Sequence, residues 1–182
     1  MTQEFMQDAI VEDLKKLFQG YRLKNSAGVE RSINVFPQDL PIRAGGDIEP
    51  EPVEEPDLEA EQLEDAEPEQ TEPEDVPEPY ILVRIVNGDL PEQGEDERQN
   101  ILVILVICVC DPDPNRQGYR DALHIVNSVL HHYGTDGLVA RRYEVQRPIK
   151  WAIQDEDNHP YYIAAMALNF KAPAIFKEVP ET

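Results

Sequence analysis

The apolar pattern of the chain is densest in Ile101 to Cys110, ten consecutive apolar residues between Asn100 and Asp111. The run is rich in β-branched Ile and Val, and Asp111-Pro112-Asp113-Pro114 stops it. It is too short to cross a bilayer as a helix, which takes about 20 apolar residues. Lack of alternation predicts a strand buried on both faces. Ile101, Val103, Leu105, Ile107 and Val109 fall on one side, and Leu102, Ile104, Val106, Cys108 and Cys110 on the other. Tyr161 to Lys171 has the same character, with both of its alternating sets largely apolar. Tyr80 to Val86 is a further strand, and Asn87-Gly88 opens a turn into a polar loop over Leu90 to Arg98. The simplest arrangement pairs it antiparallel with Ile101 to Cys110. Tyr143 to Ile153 is a long strand bent at Pro148, and Ser32 to Phe36 a short one stopped by Pro37.

Two stretches follow the helical period instead. From Met1 to Tyr21, Phe5, Ala9, Ile10, Leu14, Leu17, Phe18 and Tyr21 share one face, with Thr2 as cap and Gly20 near the end. Acids come early and bases late, as the helix dipole favours. After Asp113-Pro114, read as a cap with proline at the first helical position, Tyr119, Ala122, Leu123, Val126, Leu130 and Tyr133 form a second stripe. Gly134 and Gly137 end it. The fold class is therefore α+β, a mostly antiparallel sheet of about four to five strands with two main helices. Two helices do not suffice to cover both faces of two long apolar strands. The uncovered remainder predicts burial by other subunits.

Charge changes the picture in one place. The chain has 37 acidic and 16 basic residues, a net of −21. Sixteen of the acids lie between Asp47 and Glu78, where there is no Lys or Arg. That segment also holds Pro50, Pro52, Pro56, Pro68, Pro73 and Pro77. Like charges repel, and the few apolar side chains do not offset the entropy of ordering, so a disordered acidic insertion is expected at about 45–79 within one domain spanning 1–182. Loop closure entropy grows only logarithmically, so a fold tolerates it. The segment could be a solubilising insertion, a repeller of DNA phosphates or a tether for a basic partner. The rest is only mildly acidic. Met1 to Arg22 is polar and amphipathic, so no secretory signal is expected. The two cysteines, Cys108 and Cys110, point to one side of a strand and are poorly placed to bridge each other. They read as buried thiols of a protein folded in a reducing cytoplasm.

No motif for catalysis stands out. His124, His131 and His132 lie on the second helix, but His124 and His131 are two turns apart and His131 and His132 diverge. Asp111, Asp113 and Asp121 alternate with proline and read as capping and strand termination rather than a metal site. Phosphate-loop, Cys-X-X-Cys, His-Glu-X-X-His and nucleophile-elbow patterns are absent from the sequence. No catalytic, cofactor-binding or metal-ligating residue is assigned. The basic cluster Arg141, Arg142, Arg147 and Lys150, with Tyr143 and Trp151 interleaved, resembles a nucleic-acid patch. The strongly negative net charge opposes phosphate binding. A subunit or partner contact is the better reading, carried by Arg141, Arg142, Arg147, Lys150, Trp151, Tyr161 and Tyr162.

One further pattern runs through the carboxy-terminal half. A buried strand ends in Asp111, and Asp113-Pro-Asn-Arg-Gln-Gly-Tyr-Arg-Asp121 opens a helix. Arg147-Pro-Ile-Lys-Trp151 and His159-Pro-Tyr-Tyr162 follow, and Asn169-Phe-Lys-Ala-Pro173 closes the last strand. In this the chain resembles tail terminator (tail completion) proteins of long-tailed bacteriophages and prophages, over roughly the whole folded part. The acidic segment departs from that family. The resemblance implies structural work and no enzymatic activity. It implies a homo-oligomer, a hexameric ring that caps the tail tube, stops its polymerisation and offers the joining surface to the head–tail connector. DNA would pass through the bore without specific binding, and no membrane or cofactor would be involved. The place implied is the virion tail, assembled in the host bacterial cytoplasm. A neighbouring neck or minor tail protein would share these features. An acidic DNA mimic that inhibits a basic protein, and a small enzyme using Asp111, Asp113, Asp121 and His124, are the readings from other classes.

Overall fold

A computed structural model describes residues 3–41, 77–90 and 98–173. The acidic segment before Pro77, the polar stretch 91–97, Thr2 and the tail after Pro173 lie outside the described residues.

The elements run α1 (Gln3–Leu17), β1 (Arg22–Lys24), β2 (Glu30–Ser32), β3 (Asn34–Pro37), β4 (Tyr80–Asp89), β5 (Arg98–Cys110), α2 (Gly118–Thr135), β6 (Leu138–Val139), β7 (Tyr143–Ile153) and β8 (Tyr161–Pro173). This is an α+β fold. Its main sheet has the order β3-β4-β5-β8-β7-β6, with β3 parallel to β4 and every other pair antiparallel. The strands outnumber the expected four to five, because β1 and β2 form a separate hairpin and β6 is a two-residue edge. The expected strand from Ser32 to Phe36 is two pieces, β2 and β3. Turn chemistry explains the hairpin. Asn25 is fully buried, its Oδ1 accepts from the Val29 N–H at 2.8 Å, and Gly28 takes the positive φ of 76° that the turn needs.

β5 and β8 form the middle of the sheet, paired without a break from Arg98↔Pro173 to Cys110↔Tyr161. On one side Ile101, Val103, Leu105, Ile107 and Val109 meet Phe170, Leu168, Met166, Ala164 and Tyr162 in register. Ile81 and Val83 of β4 extend this layer. Both helices lie on this side. α1 buries Met6, Ile10, Val11 and Leu14, and α2 buries Ala122, Ile125, Val126, Val129 and Tyr133. At roughly 1.5–3 kcal/mol per large aliphatic side chain, this single layer dominates the stability of the fold.

The helical stripes are turned from the expected ones. Phe5 is 62% exposed while Met6 and Val11 are buried. Tyr119 is exposed while Ile125 and Val129 are buried. The 3.6-residue period was legible, but each helix had enough apolar residues to admit a neighbouring phase. α1 ends where Gly20 adopts φ +83°, and the Tyr21 N–H bonds the Phe18 carbonyl at 3.0 Å. α2 starts at Gly118, later than the proline rule places it, and its Gln117 side chain does not cap the helix but donates back to the Asn115 carbonyl at 2.8 Å. Asp113 instead closes a local turn, accepting from the Asn115 N–H at 2.8 Å. Gly118 is required by space, since a Cβ there would lie 2.4 Å from the Tyr162 ring and 2.6 Å from Asp111 Cβ.

Candidate functional site

Among the described residues no helix lies on the second side of the sheet. Leu102, Ile104 and Val106 of β5 and Ile163, Ala165 and Ala167 of β8 are only half-buried there. Among the described residues both helices lie on the other side, so the surface that the apolar pattern leaves for a second cover is on this face. Its burial is complete only toward one end, at Leu82, Cys108 and Cys110. Ala152 is exposed and pairs with Ala165, which widens the open apolar face across three strands, while Leu82 and Cys108 on the same side are buried. Four cations stand on this side. Arg98 donates to Glu144 at 2.7 Å. Arg84 pairs with Asp39 and donates to the Gln38 carbonyl at 3.0 Å. Lys171 lies opposite Glu144 in register. Lys150, opposite Ala167, is exposed and makes no ion pair among the described residues.

The open face ends in a cleft of about 780 Å³ beside the tips of β4, β5 and β8. Ser26, Leu40, Pro77, Glu78, Tyr80, Cys108, Asp157, Asn158, His159, Tyr161 and Ile163 line it. The chain brings these together from five places: the β1–β2 turn, the stretch after β3, the entry to β4, Cys108 of β5, and the β7–β8 turn with the start of β8. The β7–β8 turn is tied down by Arg116, which donates to Asp157 at 2.7 Å. Asp157 is held below its ordinary value, first by that hydrogen bond and then by the His159 backbone.

Glu78 is the unusual member. It is 4% exposed, and its Oε2 has no hydrogen-bond partner. This corrects the expected extent of the acidic insertion, since its last acid is folded against the sheet. Neighbouring groups register its charge. Burial first, then the Cys108 thiol, raises the Tyr80 phenol well above its ordinary value, with Glu78 adding to the effect. Burial, followed by Glu78, pushes the Cys110 thiol up to about 11. Tyr161 is raised by burial and then by Glu78. Cys108 is raised by burial, against a hydrogen bond to Tyr80. Both thiols are buried and unbridged.

The seven residues assigned to a contact surface do not form one patch. Arg141 and Arg142 sit in the turn before β7, where Arg141 has a positive φ. Arg142 lines a separate groove of about 380 Å³ with Phe5, Ala9, Ala140 and Tyr143. Arg147 donates to the Gly134 carbonyl at 2.8 Å. Lys150 and Trp151 point to opposite sides of β7, and Trp151 is 48% exposed. Tyr161 belongs to the cleft, whereas Tyr162 faces α2 beside Gly118. A register shift between Gln146 and Lys150 breaks the alternation that grouped the cations.

The α2 histidines serve the helices. His132 Nε2 lies 2.8 Å from Asp13 Oδ2 and links α2 to α1, and His124 stacks on Tyr21 with ring centroids 5.5 Å apart. Among the described residues no group of three or more His, Cys, Asp or Glu side chains could hold a metal, and no helix is long and apolar enough to cross a membrane. Sequence reasoning missed Glu78 because composition assigned it to the acidic run. The available signal was parity, since Glu78, Tyr80 and Leu82 alternate onto one side. No protein-family model matches this chain, and a search of curated proteins finds no match.

Proposed function

We propose that this chain is a structural ring subunit of a long-tailed bacteriophage. It caps the tail tube, stops tube polymerisation and offers the joining surface to the head connector in the virion tail. The observation that carries the reading is the open apolar face of the sheet, from Leu102, Ile104 and Val106 to Ala165 and Ala167. Apolar surface removed from water contributes roughly 25 cal/mol per Å², and a neighbouring subunit laid on this face supplies that burial. The resemblance of the Asp113–Asp121, Arg147–Trp151 and His159–Tyr162 motifs to tail terminators supports the same reading. The acidic segment that begins at Asp47 would repel DNA phosphates if it lined the bore, and on the outside would discourage nonspecific association or recruit a partner. A neck or minor tail protein would use the same face, and the partner bound distinguishes the two.

The test is electron microscopy and sedimentation of the full chain, alone and with tail tube protein. Rings, and tubes whose growth stops when the chain is added, are the expected result. A chain that stays monomeric and leaves tube length unchanged overturns the proposal. A salt-sensitive complex with a basic nuclease or DNA-binding protein would favour the acidic inhibitor instead.

A further inference from the structure

We infer that the cleft at the end of the open face is a binding site for an alkyl cation, an ammonium or guanidinium group, and that Lys150 of a second copy of this chain supplies it. The source of the cation rests on the ring reading above. The cation site itself does not.

The chemistry follows from the lining. A buried carboxylate oxygen with no donor costs more than almost any other unpaired polar group, and Glu78 Oε2 is in that position at the wall of an open cleft. A donor arriving from outside would complete it. The second acid of the lining, Asp157, is already paired with Arg116. Tyr80 and Tyr161 line the same cleft, the Tyr161 hydroxyl hydrogen-bonded to Glu78, and Leu40, Pro77 and Ile163 supply apolar wall. A carboxylate with one oxygen unpaired in a largely apolar cleft suits a cation on an alkyl stem, which uses the wall for its stem and the acid for its head. An anion would meet Glu78 and Asp157. A metal ion lacks donors, because no group of three ligating side chains gathers among the described residues.

The source is narrowed by charge. The segment Asp47 to Val76, which precedes Pro77 in the sequence, contains no Lys or Arg. On the open face Arg84 is held by Asp39 and Arg98 by Glu144, which Lys171 also faces, while Lys150 is exposed without an ion pair among the described residues. Lys150 and the cleft occupy the same face of the sheet but separate positions on it. Two copies meeting through that face can therefore set the lysine of one against the glutamate of the other, closing the apolar face in the same contact.

Two experiments on the full chain test this. In amide NMR, ethylguanidinium and butylammonium chloride should shift the signals of Glu78, Tyr80, Cys108 and Tyr161 in the wild type, and not in Glu78→Gln at matched ionic strength. No shift in the wild type, or equal shifts in the variant, overturns the cation site. In sedimentation equilibrium, Glu78→Gln and Lys150→Met should each weaken self-association by about tenfold, and the double variant should lose little more than either alone. Unaltered association in Lys150→Met, or losses that simply add, overturn Lys150 as the source. Rings that form equally well in Glu78→Gln overturn the inference and leave the ring reading intact. A wild type that binds the probes yet never associates overturns the ring reading and the second-copy source, and leaves the cation site standing.

Discussion

Individual side chains near the cleft are set by burial first and by charge second. Cys110 is 3% exposed, and burial together with Glu78 and its neighbours raises its thiol to about 11. Thiolate, the reactive form, is then roughly a hundredfold scarcer near pH 8 than for an ordinary thiol. Iodoacetamide should therefore modify Cys110 at least about a hundredfold more slowly in the folded chain than in urea, and the buried Cys108, whose thiol is also raised, more slowly as well, read by mass spectrometry. Similar rates in the two states would show that the thiols are accessible. Asp121 makes a second case. Burial, then the charge of Asp111, raises its carboxyl above the ordinary value, and His124 acts against them. A folded state that holds this proton more tightly has its full contribution below the unfolded value. It loses that contribution as pH rises through the folded one. Asp121→Asn should therefore match the wild type in urea midpoint near about pH 3 and exceed it near about pH 7. A difference that does not change with pH would rule out the carboxyl as its origin.

Elements show where sequence patterns stop being sufficient. The entry of α2 is fixed by the absence of a side chain at Gly118, against which Tyr162 and Asp111 close. Gly118→Ala should cost about 1–3 kcal/mol, as overpacking does, and should lower the thermal midpoint with unchanged far-ultraviolet dichroism. A variant as stable as the wild type would mean that α2 shifts freely on the sheet. The long strands and both helices were legible because each repeats a period over ten or more residues. β1, β2, β3 and β6 were not, since two to four residues carry no period and are held by pairing alone. The helix phase was ambiguous for a related reason. Phe5, Met6, Ala9, Ile10 and Val11 offer two overlapping stripes, and only the shape of the sheet selects Met6 and Val11. The cleft escaped notice because its parts lie in five separate segments, and its central acid is hidden among fifteen others.

At the scale of the molecule, one strand separates two kinds of stability. β5 sends Leu105 into the helix-covered layer, fully buried, and its neighbour Ile104 onto the open face, half-buried. The two residues are adjacent in sequence and similar in volume, so they differ mainly in what covers them. Leu105→Ala leaves a cavity inside a closed layer and should cost about 2–5 kcal/mol of folding stability. Ile104→Ala removes surface that water already reaches in the single chain, so it should cost about 1 kcal/mol or less. The order reverses for assembly. A neighbour on the open face would bury Ile104 more deeply, and its truncation should weaken association by about tenfold or more, as loss of a central apolar anchor does. Urea unfolding below the association threshold, paired with sedimentation above it, separates the two effects. If both substitutions lowered folding stability equally and left association alone, the open face would be covered within the single chain, and burial would no longer argue for a ring.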